Sequence, residues 1–507
     1  MSKTIKFVKF YLSIFRNQVF ILMQEHLFFR RKAIKYKTTV MAAKDNISAG
    51  GTASQPVLAD FLIVNGLVVT MDGEYRIFEN GAIAVKDGEI VALGKTADLK
   101  DKFSATQVLD ATGKLVLPGL INTHTHSPMT IFRGYADDLH LKEWLYDHIF
   151  PIESEFVNPE NVRTGTRLAI AEMLLSGTTT FNDMYYYVDE MARVVDQVGV
   201  RAVLTESLID FSAPNSPSPE HCLKVSEDLI KKWERHPLIT IGVSAHAPYT
   251  TSPEVIKKGK ELADKYNLPF NIHVAETRGE YDLAQKEYGM TPVQFLESLG
   301  VLGPNVIAAH SVHLTPEDIE IYARRGVGVA HNPQCNMKLA SGVAPVPAFL
   351  KAGVKVGIGT DGVASNNDLD LFDEVRSAAF IHKLNSKNPT VLDAQTALEL
   401  VTIGGARVLG MENLIGSLET GKRADIIILD MDQPHAHPVY NIYSLIIYSL
   451  RGSDVETVMV DGRLMVYKRK LVTLDLDRLY DKVEALARQI TEKSTTLAQL
   501  NNKLRKL

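Results

Sequence analysis

The chain has 507 residues, of which 45% are hydrophobic and 23% charged, and its formal net charge is −5. This composition excludes a disordered chain and allows one large domain with a smaller companion. The mildly acidic balance gives no reason to expect nucleic-acid binding. The only two cysteines, Cys222 and Cys335, form no CxxC pattern. We therefore expect no disulfide framework, no thiolate zinc site and a reducing, cytoplasmic location.

The N-terminal segment, residues 1–57, differs from the rest of the chain. Its first forty residues contain nine lysines and arginines and a single acidic residue, Glu25. Polar residues interrupt its apolar stretches, so none reaches the roughly 20 residues that a membrane span requires. A Gly/Ser/Ala-rich stretch begins at Met41. We predict that residues 1–57 form an appendage outside the fold, disordered or weakly helical, with no stable membrane span.

Short β-type stretches lie on both sides of a long middle region. The stretch "ADFLIVNGLVVTMDGEYRIFENGAIAVKDGEIVALG" places β-branched runs between Asn-Gly and Asp-Gly pairs, which are typical of hairpin turns. The same character returns in "GSLETGKRADIIILDMD" and "VETVMVDGRLMVYKRK". We predict one small β-sandwich domain built from residues 58–117 and 413–470. Residues 471–507 have the pattern of a helical tail.

The middle region, residues 118–412, alternates short apolar runs with amphipathic stretches of helical length. The runs are "LVLPGLINTHTH", "TTTFNDM", "RAVLTESLID", "ITIGVSAHAP", "PFNIHVAET", "VIAAHSVHL", "GVGVAHNP" and "VKVGIGTDG". Apolar strands separated by helices indicate a parallel sheet covered by those helices. Eight such units over about 250 residues predict a (β/α)8 barrel. An open doubly wound sheet is the alternative, but no Gly-rich GxGxxG turn follows the first run.

Polar side chains collect at the ends of these runs. They are His124, His126, His246, His273, Glu276, His310, His313, His331, Asn332 and Asp361. A single histidine at a strand end is more often structural than functional. In a barrel, however, the carboxyl ends of all strands meet at one face, which builds the active site. The pair His124 and His126 also points to one side, because residues i and i+2 of a strand share a face.

This set of residues predicts a metal centre. Three imidazoles, from His124, His126 and His273, together with the carboxylate of Asp361, suit a divalent transition metal with one position open for water. Such an ion lowers the pKa of a bound water towards neutrality. We expect Asp361 to accept a proton from that water and His310 to orient or polarise it. Glu276 is then free to carry protons to a leaving group.

The quoted motifs resemble those of a known family. "LPGLINTHTH", "IHVAE", "AAHSVHL", "GTDGVASNN" and "GSLETGKRADIIILD" resemble the amidohydrolase superfamily of metal-dependent hydrolases. Within it, "HTHSPMTIFRGYADDLHLKEWLYDHIFPIE" and "HNPQCNMKLASGVAPV" are similar to the 5-methylthioadenosine/S-adenosylhomocysteine deaminases and their chlorotriazine-hydrolase relatives. The resemblance covers roughly residues 58–470 and does not include the first forty residues.

The resemblance implies a single metal ion, usually zinc with Fe2+ as an alternative, held by His124, His126, His273 and Asp361. The run "ITIGVSAHAP" agrees, because it offers no lysine that could be carboxylated to bridge a second metal. The family also implies that Glu153 binds ribose hydroxyls and that His246 contacts the purine. From the sequence without this resemblance, a helix cap or a surface carboxylate is the favoured interpretation of Glu153, and only the motif match reverses it.

Glu276 favours deamination among the reactions of this family. Removing the amino group of an aminopurine requires a proton at N1 and another for the departing ammonia, and a carboxyl group that cycles its proton supplies both. Some triazine-hydrolysing relatives replace this residue. Certain relatives also carry an arginine after the third strand, where this chain has Glu206. We expect an acidic residue there to favour a neutral or amine-bearing 5′ substituent.

The sequence therefore predicts a metal-dependent hydrolytic deaminase acting on 5′-methylthioadenosine, S-adenosylhomocysteine, 5′-deoxyadenosine or adenosine. The alternatives are the same site acting on guanine or a triazine, and a catalytically silent barrel that binds nucleosides or partners. The silent barrel is expected to lack a metal ligand or Glu276, and neither is missing. Barrels of this kind commonly form homo-oligomers, but the sequence identifies no interface.

Overall fold

The computed structural model describes the backbone from residue 56 to residue 504 and the side chains up to residue 493. The predicted N-terminal appendage lies outside the described residues except for its last two positions. Its structure therefore stays a prediction.

Seventeen strands occur in the described residues. They are β1 (Val57–Val69), β2 (Ile77–Lys86), β3 (Glu89–Lys95), β4 (Phe103–Asp110), β5 (Lys114–Pro118), β6 (Leu120–Thr125), β7 (Thr178–Tyr185), β8 (Arg201–Leu208), β9 (Ile239–Ala245), β10 (Phe270–Val274), β11 (Val306–His310), β12 (Gly328–His331), β13 (Lys355–Ile358), β14 (Ile426–Asp430), β15 (Val455–Val460), β16 (Arg463–Tyr467) and β17 (Lys470–Leu471).

Helices cover most of the connections. They are α1 (Thr96–Leu99), α2 (Leu141–Glu143), α3 (Phe150–Phe156), α4 (Pro159–Leu175), α5 (Val188–Val198), α6 (Pro219–Trp233), α7 (Pro253–Tyr266), α8 (Arg278–Tyr288), α9 (Pro292–Ser298), α10 (Pro316–Arg325), α11 (Pro333–Lys338), α12 (Val346–Lys351), α13 (Leu371–Ser386), α14 (Ala394–Leu400), α15 (Ile403–Leu409), α16 (Ile442–Tyr448) and α17 (Leu476–Leu504). Short 3-10 turns span Ser127–Phe132, Pro434–Ala436 and Gly452–Asp454, and a π-helical turn spans Trp144–Ile149.

Strands β6 to β13 form the predicted parallel barrel. They pair in sequence order in one eight-stranded sheet, and every pairing between neighbours is parallel. Each of the eight apolar runs identified in the sequence contributes one strand. Parallel neighbours require a crossover connection, and the intervening helices supply it on the outer face. The predicted fold class, a (β/α)8 barrel with a sheet domain from the flanks, is confirmed.

The barrel closes where β13 returns to β6. The backbone N–H of Asp361 donates to the carbonyl of His124 at 3.0 Å. Gly359 makes this approach feasible, because a Cβ atom there would lie only 2.8 Å from the backbone nitrogen of His124 and 2.4 Å from Asn332 Oδ1. The last strand therefore delivers Asp361 directly beside the first strand.

Helix α4 illustrates how the outer layer forms. Asn158 caps it by accepting hydrogen bonds from the backbone N–H groups of Glu160 and Asn161, both at 3.1 Å. Pro159 occupies the first turn, where its missing N–H costs nothing. Apolar residues at helical spacing then turn inward: Val162, Ala169, Ile170, Met173 and Leu174.

The two flanks of the chain meet in one mixed sheet. Its order is β17-β16-β15-β14-β5-β1-β2-β3, and β4 pairs with β1. The sheet curls, because Ala424 donates to the carbonyl of Gly88 in the β2–β3 turn and accepts from Gly462 in the β15–β16 turn, at 2.9 and 3.0 Å. Its inner face packs an apolar cluster separate from the barrel core. The four segment boundaries proposed from the sequence remain a prediction.

A buried ion cluster joins this sheet to the barrel. Arg201, at the start of β8, is only 2% exposed and donates to both oxygens of Asp425 at 2.9 and 3.1 Å. It also donates to Asp461 at 3.3 Å, and the backbone N–H of Asp461 donates to Asp425 at 2.7 Å. The cluster lies at the amino-terminal end of β8, away from the strand ends that carry the predicted site.

The C-terminal tail is helical over α17, as its sequence pattern suggests. Leu479, Leu486 and Ile490 of this helix are buried. Among residues 56–504, no helix has both the length and the apolar character needed to cross a membrane.

Replacing Arg201 with Met should destabilise the protein strongly. The change leaves the buried carboxylate of Asp425 without its partner, and breaking a buried ion pair in this way costs about 3–5 kcal/mol of unfolding free energy. Urea denaturation followed by circular dichroism measures the loss. Arg193→Met is the matched control, because Arg193 pairs with Asp189 on an exposed helix face. Equal stability of the two variants would contradict a structural role for the buried cluster.

Candidate active site

The carboxyl ends of four barrel strands bring together a compact group of ligand-type atoms. His124, His273, His310 and Asp361 each offer one such atom, and these atoms all lie within 4.8 Å of one another. The four side chains are buried. Residues from β6, β10 and β11 and from the loop after β13 thus converge as predicted.

His126 joins this group from its edge. Its Nε2 lies 3.1 Å from Asp361 Oδ1, and its ring centroid is 4.8 Å from that of His124. The Nε2 of His124 lies 3.4 Å from the same oxygen. The sequence pair of histidines one residue apart therefore does face one carboxylate.

Backbone carbonyls orient two of the imidazoles. His126 Nδ1 lies 2.5 Å from the carbonyl of Met184, and His273 Nδ1 lies 2.6 Å from the carbonyl of His246. A carbonyl only accepts, so each Nδ1 carries the proton and donates. The Nε2 atoms of both rings are then the ones turned towards the group, with His126 Nε2 3.1 Å from Asp361 Oδ1 and His273 Nε2 3.2 Å from His124 Nε2. This orientation is the one found in metal-binding histidines.

His310 has the opposite tautomer. The amide nitrogens of Asn332 and Asn336 lie 3.3 and 3.0 Å from its Nδ1. With the amide groups assigned in this way, Nδ1 accepts hydrogen bonds and the proton of the neutral ring sits on Nε2. That N–H points towards Glu276, whose Oε2 is 3.8 Å away. His310 is thus built as a hydrogen-bond donor at the edge of the group.

The donor set fits a divalent cation. Asp361 Oδ1 is buried and has no aligned hydrogen-bond partner, although two imidazole Nε2 atoms lie near it. Burial lowers the pKa of His124 to about 4, which keeps this ring neutral. Burial lowers the pKa of His126 as well, but the adjacent carboxylate of Asp361 outweighs that effect and raises it to about 9.

Glu276 lies in the same cleft and is almost entirely buried. Ser341 Oγ donates to its Oε1 at 3.4 Å. Burial, followed by the nearby charge of Asp361, raises the pKa of Glu276 to about 8. Its backbone is fixed by Glu280, whose two carboxylate oxygens accept from the N–H groups of Ala275 and Glu276 at 2.8 and 2.9 Å. This carboxyl group holds a proton at neutral pH, as an acid catalyst must.

Glu153 is neither a surface carboxylate nor a helix cap. It lies on α3, is 5% exposed and faces the cleft. The hydroxyl of Tyr185 donates to its Oε1 at 2.6 Å. Burial raises its pKa to about 7, against the opposing effect of that hydrogen bond. Its second oxygen is left for a ligand in the cleft.

His246 forms part of the opposite wall. Its Nδ1 is bonded to Thr250 Oγ1 at 2.7 Å, and its ring stands 5.0 Å from that of His273. Burial lowers its pKa to about 3, so the ring is neutral. Phe150, whose ring centroid is 6.5 Å away, contributes an aromatic face beside it.

Most of these residues line one cleft that is partly open to solvent. Its apolar wall comes from Met129, Leu141, Trp144, Leu145, Ile149, Phe150, Met184, Tyr185, Tyr186, Tyr249 and Leu339. Its polar side contains His126, Glu153, Ser207, His246, His273, Glu276, His310, Asp361 and Ser365. A largely apolar cleft with a few polar groups is typical of small-molecule sites.

Two histidines at strand ends do not face this cleft. His313 Nε2 donates to the carbonyl of Ser341 at 2.7 Å, and His331 is paired with His382 through Nε2 atoms 3.1 Å apart. Both residues lie beyond the cleft lining. His313 lies three residues beyond the end of β11, where the alternation of a strand no longer sets the direction of a side chain.

The expectation for Glu206 is wrong. Its side chain does not line the cleft but accepts from the backbone N–H of Val188 at 3.1 Å and from Asn215 at 2.6 Å. It therefore holds the start of α5 to the barrel. Alternation along β8 explains this, because the next residue, Ser207, is the one that faces the cleft.

Several contributors were missed from the sequence. Tyr185 binds Glu153, Asn336 binds His310, and both Cys335 and Ser365 donate to Asp361 Oδ2 at 2.8 Å. Cys335 and Asn336 stand in the quoted motif "HNPQCNMKLASG", which was used only for its resemblance. They follow the end of β12 by four and five residues, a position that marked both as candidates for the mouth of the barrel.

Comparison with known proteins gives a consistent result. The sequence profile of the amidohydrolase family matches residues 115–465. A 5-methylthioadenosine/S-adenosylhomocysteine deaminase of Syntrophobacter fumaroxidans is 47% identical over 432 residues, which is 85% of this chain and 98% of the relative.

Solved structures agree in fold. An adenosine deaminase from Xanthomonas campestris with bound zinc is similar with a TM-score of 0.85 and 39% identity, over 86% of this chain and 100% of that one. An atrazine chlorohydrolase from Arthrobacter aurescens complexed with zinc has a TM-score of 0.79 and 27% identity, over 84% and 100%. With a family profile across the barrel and a relative of this identity over nearly its whole length, the chain belongs to the amidohydrolase family.

Proposed function

We propose that the protein is a metal-dependent hydrolytic deaminase of 5′-modified adenosines. Water and 5′-methylthioadenosine, S-adenosylhomocysteine, 5′-deoxyadenosine or adenosine give the corresponding inosine and ammonia. The observation that carries the proposal is the buried Glu276 in one cleft with His126, His273 and Asp361. The similarity to a methylthioadenosine/S-adenosylhomocysteine deaminase supports this substrate class.

His124, His126, His273 and Asp361 hold the ion in this proposal. Their Nδ1 atoms are bonded to backbone carbonyls, which leaves the Nε2 atoms of His126 and His273 turned towards the group and supports their assignment. The hydrogen bonds that His310 Nδ1 accepts favour a proton on its Nε2 and argue against His310 as a ligand. Zinc is the proposed metal, since the similar deaminase and chlorohydrolase structures contain it, and Fe2+ is the alternative. A cation in this position acts as a Lewis acid and lowers the pKa of water in its open coordination site.

The protons of the reaction move through two carboxyl groups. Glu276 gives its proton to N1 of the purine as water adds at C6, and Asp361 Oδ1 accepts one proton of that water. The C6–N bond then breaks, and the proton held by Asp361 passes to the leaving nitrogen. The hydroxyl at C6 returns its proton to Glu276 as the carbonyl forms. One proton of water thus ends on ammonia. The other returns to Glu276 and replaces the proton that Glu276 gave to N1.

The remaining polar groups orient the substrate. The N–H of His310 Nε2 donates to the oxygen at C6. The free oxygen of Glu153 accepts hydrogen bonds from ribose hydroxyls, and His246 contacts the purine from the opposite wall. The apolar wall around Phe150 and Trp144 holds the ring and excludes bulk water. The small-molecule substrate and the two unpaired cysteines fit a cytoplasmic enzyme.

A substrate panel tests the proposal directly. Ammonia release is measured with adenosine, 5′-deoxyadenosine, 5′-methylthioadenosine, S-adenosylhomocysteine, guanine and an aminotriazine, with zinc-loaded protein. We expect turnover of at least one adenosine and little of the last two compounds. Turnover of guanine or the triazine alone would support the second candidate, a hydrolase of another amino-heterocycle. No turnover of any adenosine would refute the proposal.

Glu276→Gln should lower kcat by about 10²–10⁴-fold, the usual contribution of a general acid–base group. Metal content, measured by mass spectrometry, should not change, because Glu276 is not a proposed ligand. Glu287→Gln, an exposed carboxyl on the following helix, is the matched control and should retain full activity. Survival of activity in Glu276→Gln would show that another group carries the proton.

The pH dependence should follow from the same residue. Burial raises the pKa of Glu276 to about 8, and the protonated form is the one that acts. The rate should therefore be retained at neutral pH and fall as the pH rises above about 8. A pH profile of kcat/KM measures this decrease in rate. Full activity at pH 10 would contradict the assignment of Glu276 as the proton donor.

Glu153→Gln should weaken the binding of nucleosides but not of the free base. A hydrogen bond to a charged group contributes about 1.5–3 kcal/mol, so KM for the nucleoside should rise by about 10–100-fold. The measurement compares KM for 5′-deoxyadenosine with the inhibition constant of adenine. Glu155→Gln, an exposed position two residues away that pairs with Lys493, is the control. Equal losses for nucleoside and free base would contradict a ribose contact.

A further inference from the structure

Both candidate roles of Asp361, as ligand and as proton acceptor, require one particular oxygen to face the histidines. Oδ1 lies nearest to His124 and His126 and has no aligned hydrogen-bond donor. Oδ2 has two donors: Cys335 Sγ at 2.8 Å and Ser365 Oγ at 2.8 Å. A carboxylate oxygen has two lone pairs, so both of those on Oδ2 are occupied.

The two donors reach Asp361 from different loops. Cys335 lies on α11, after β12, whereas Ser365 lies in the loop after β13. Both residues are at least 98% buried. Asp361 itself has a left-handed backbone conformation with φ of 58°, which residues other than glycine seldom adopt. Its side-chain direction is therefore set by these tertiary contacts rather than by a regular strand.

Packing alone does not account for Cys335. A purely apolar residue would fill the same space but would leave the buried Oδ2 with one donor fewer, and an unmet buried carboxylate oxygen is costly. Its neighbour on α11, Asn336, donates to His310 Nδ1 at 3.0 Å. One short helix therefore presents two successive donors, one to the carboxylate of Asp361 and one to the imidazole of His310.

We propose that Cys335 and Ser365 are positioning residues that clamp Oδ2 of Asp361 and thereby direct Oδ1 towards the metal position. This inference rests on the proposed metal site, although not on the identity of the substrate. Removal of either donor lets the carboxylate rotate or take a bidentate arrangement. The affinity for the ion then falls, and Oδ1 is no longer held where it accepts the proton of water.

Zinc affinity tests the clamp without any substrate. Cys335→Ala, Cys335→Ser and Ser365→Ala are compared with the unaltered protein by competition with a chromophoric chelator. Hydrogen-bond partners of metal ligands contribute about 10–100-fold in affinity, so we expect that loss for Cys335→Ala and Ser365→Ala. Cys335→Ser keeps a donor of similar size and should retain nearly full affinity. Cys222→Ala is the control, because Cys222 is equally buried but donates only to the carbonyl of Ser207 at 3.5 Å.

The visible spectrum of the cobalt-substituted protein provides a second measurement. We expect Cys335→Ala to change the ligand-field bands, because the coordination of Asp361 changes, and Cys335→Ser to restore them. A packing role predicts instead that the alanine and serine variants behave alike. The clamp is refuted if Cys335→Ala binds zinc as the unaltered protein does, or if Cys335→Ser loses as much affinity as Cys335→Ala. If Cys335→Ala does not fold, the zinc affinity of Ser365→Ala tests the clamp instead. Unchanged affinity refutes the clamp, and a loss of affinity supports it.

The experiments can refute the substrate assignment and the clamp on Asp361 independently of each other. If the protein deaminates no adenosine but loses zinc affinity in the alanine variants, the clamp stands and the substrate assignment is wrong. If adenosines are deaminated and zinc affinity is unaffected by the variants, the substrate assignment stands and the clamp is wrong. The double variant Cys335→Ala/Ser365→Ala should lose less affinity than the sum of the single losses, because both donors serve one oxygen.

Discussion

The candidate active site depends on the contact that closes the barrel. The backbone N–H of Asp361 donates to the carbonyl of His124, and the hydroxyl of Thr125 donates back to the carbonyl of Asp361 at 2.9 Å. These bonds join the first and last strands and connect positions 236 residues apart in the sequence. Because they fix the backbone of Asp361 beside that of His124, they decide how one carboxylate meets the imidazoles. The other side chains of the candidate site lie around this carboxylate and these imidazoles.

So many buried polar side chains are stable together only because neighbouring groups satisfy their hydrogen-bonding capacity. Beneath the histidines, buried amides cross-link the barrel strands: Asn122 donates to Thr360 at 2.8 Å, and Asn271 donates to Asn182 at 2.9 Å. The backbone is left-handed at His310 and Asp361, with φ of 68° and 58°. Such strained conformations persist where the surrounding contacts over-determine them, and they cluster at functional sites. The rigidity of the barrel thus holds the ligand atoms in place before any ion binds.

Strand ends and the connections between strands contribute different parts of the candidate site. The candidate metal ligands lie at or just after strand ends. Glu153 and the aromatic wall at Phe150, which are proposed to contact the remainder of a substrate, belong to the segment between β6 and α4 that contains the π-helical turn. Related barrels can therefore keep one chemistry and change their substrates by altering these connections. This explains why a deaminase and a chlorohydrolase share the fold of this chain.

The sequence by itself determined the barrel and which side chains gather at its mouth as candidate metal ligands, because the eight apolar runs have the period of strands and a barrel brings their carboxyl ends to one face. It could not decide which way a side chain points once a strand has ended. His313, which follows the end of β11, turns away from the cleft, and only the folded chain shows this. Tertiary structure also decided the partners of the catalytic groups, such as Tyr185 for Glu153 and Cys335 for Asp361. Those contacts join residues distant in sequence, and their geometry depends on how strands and loops pack rather than on any local pattern.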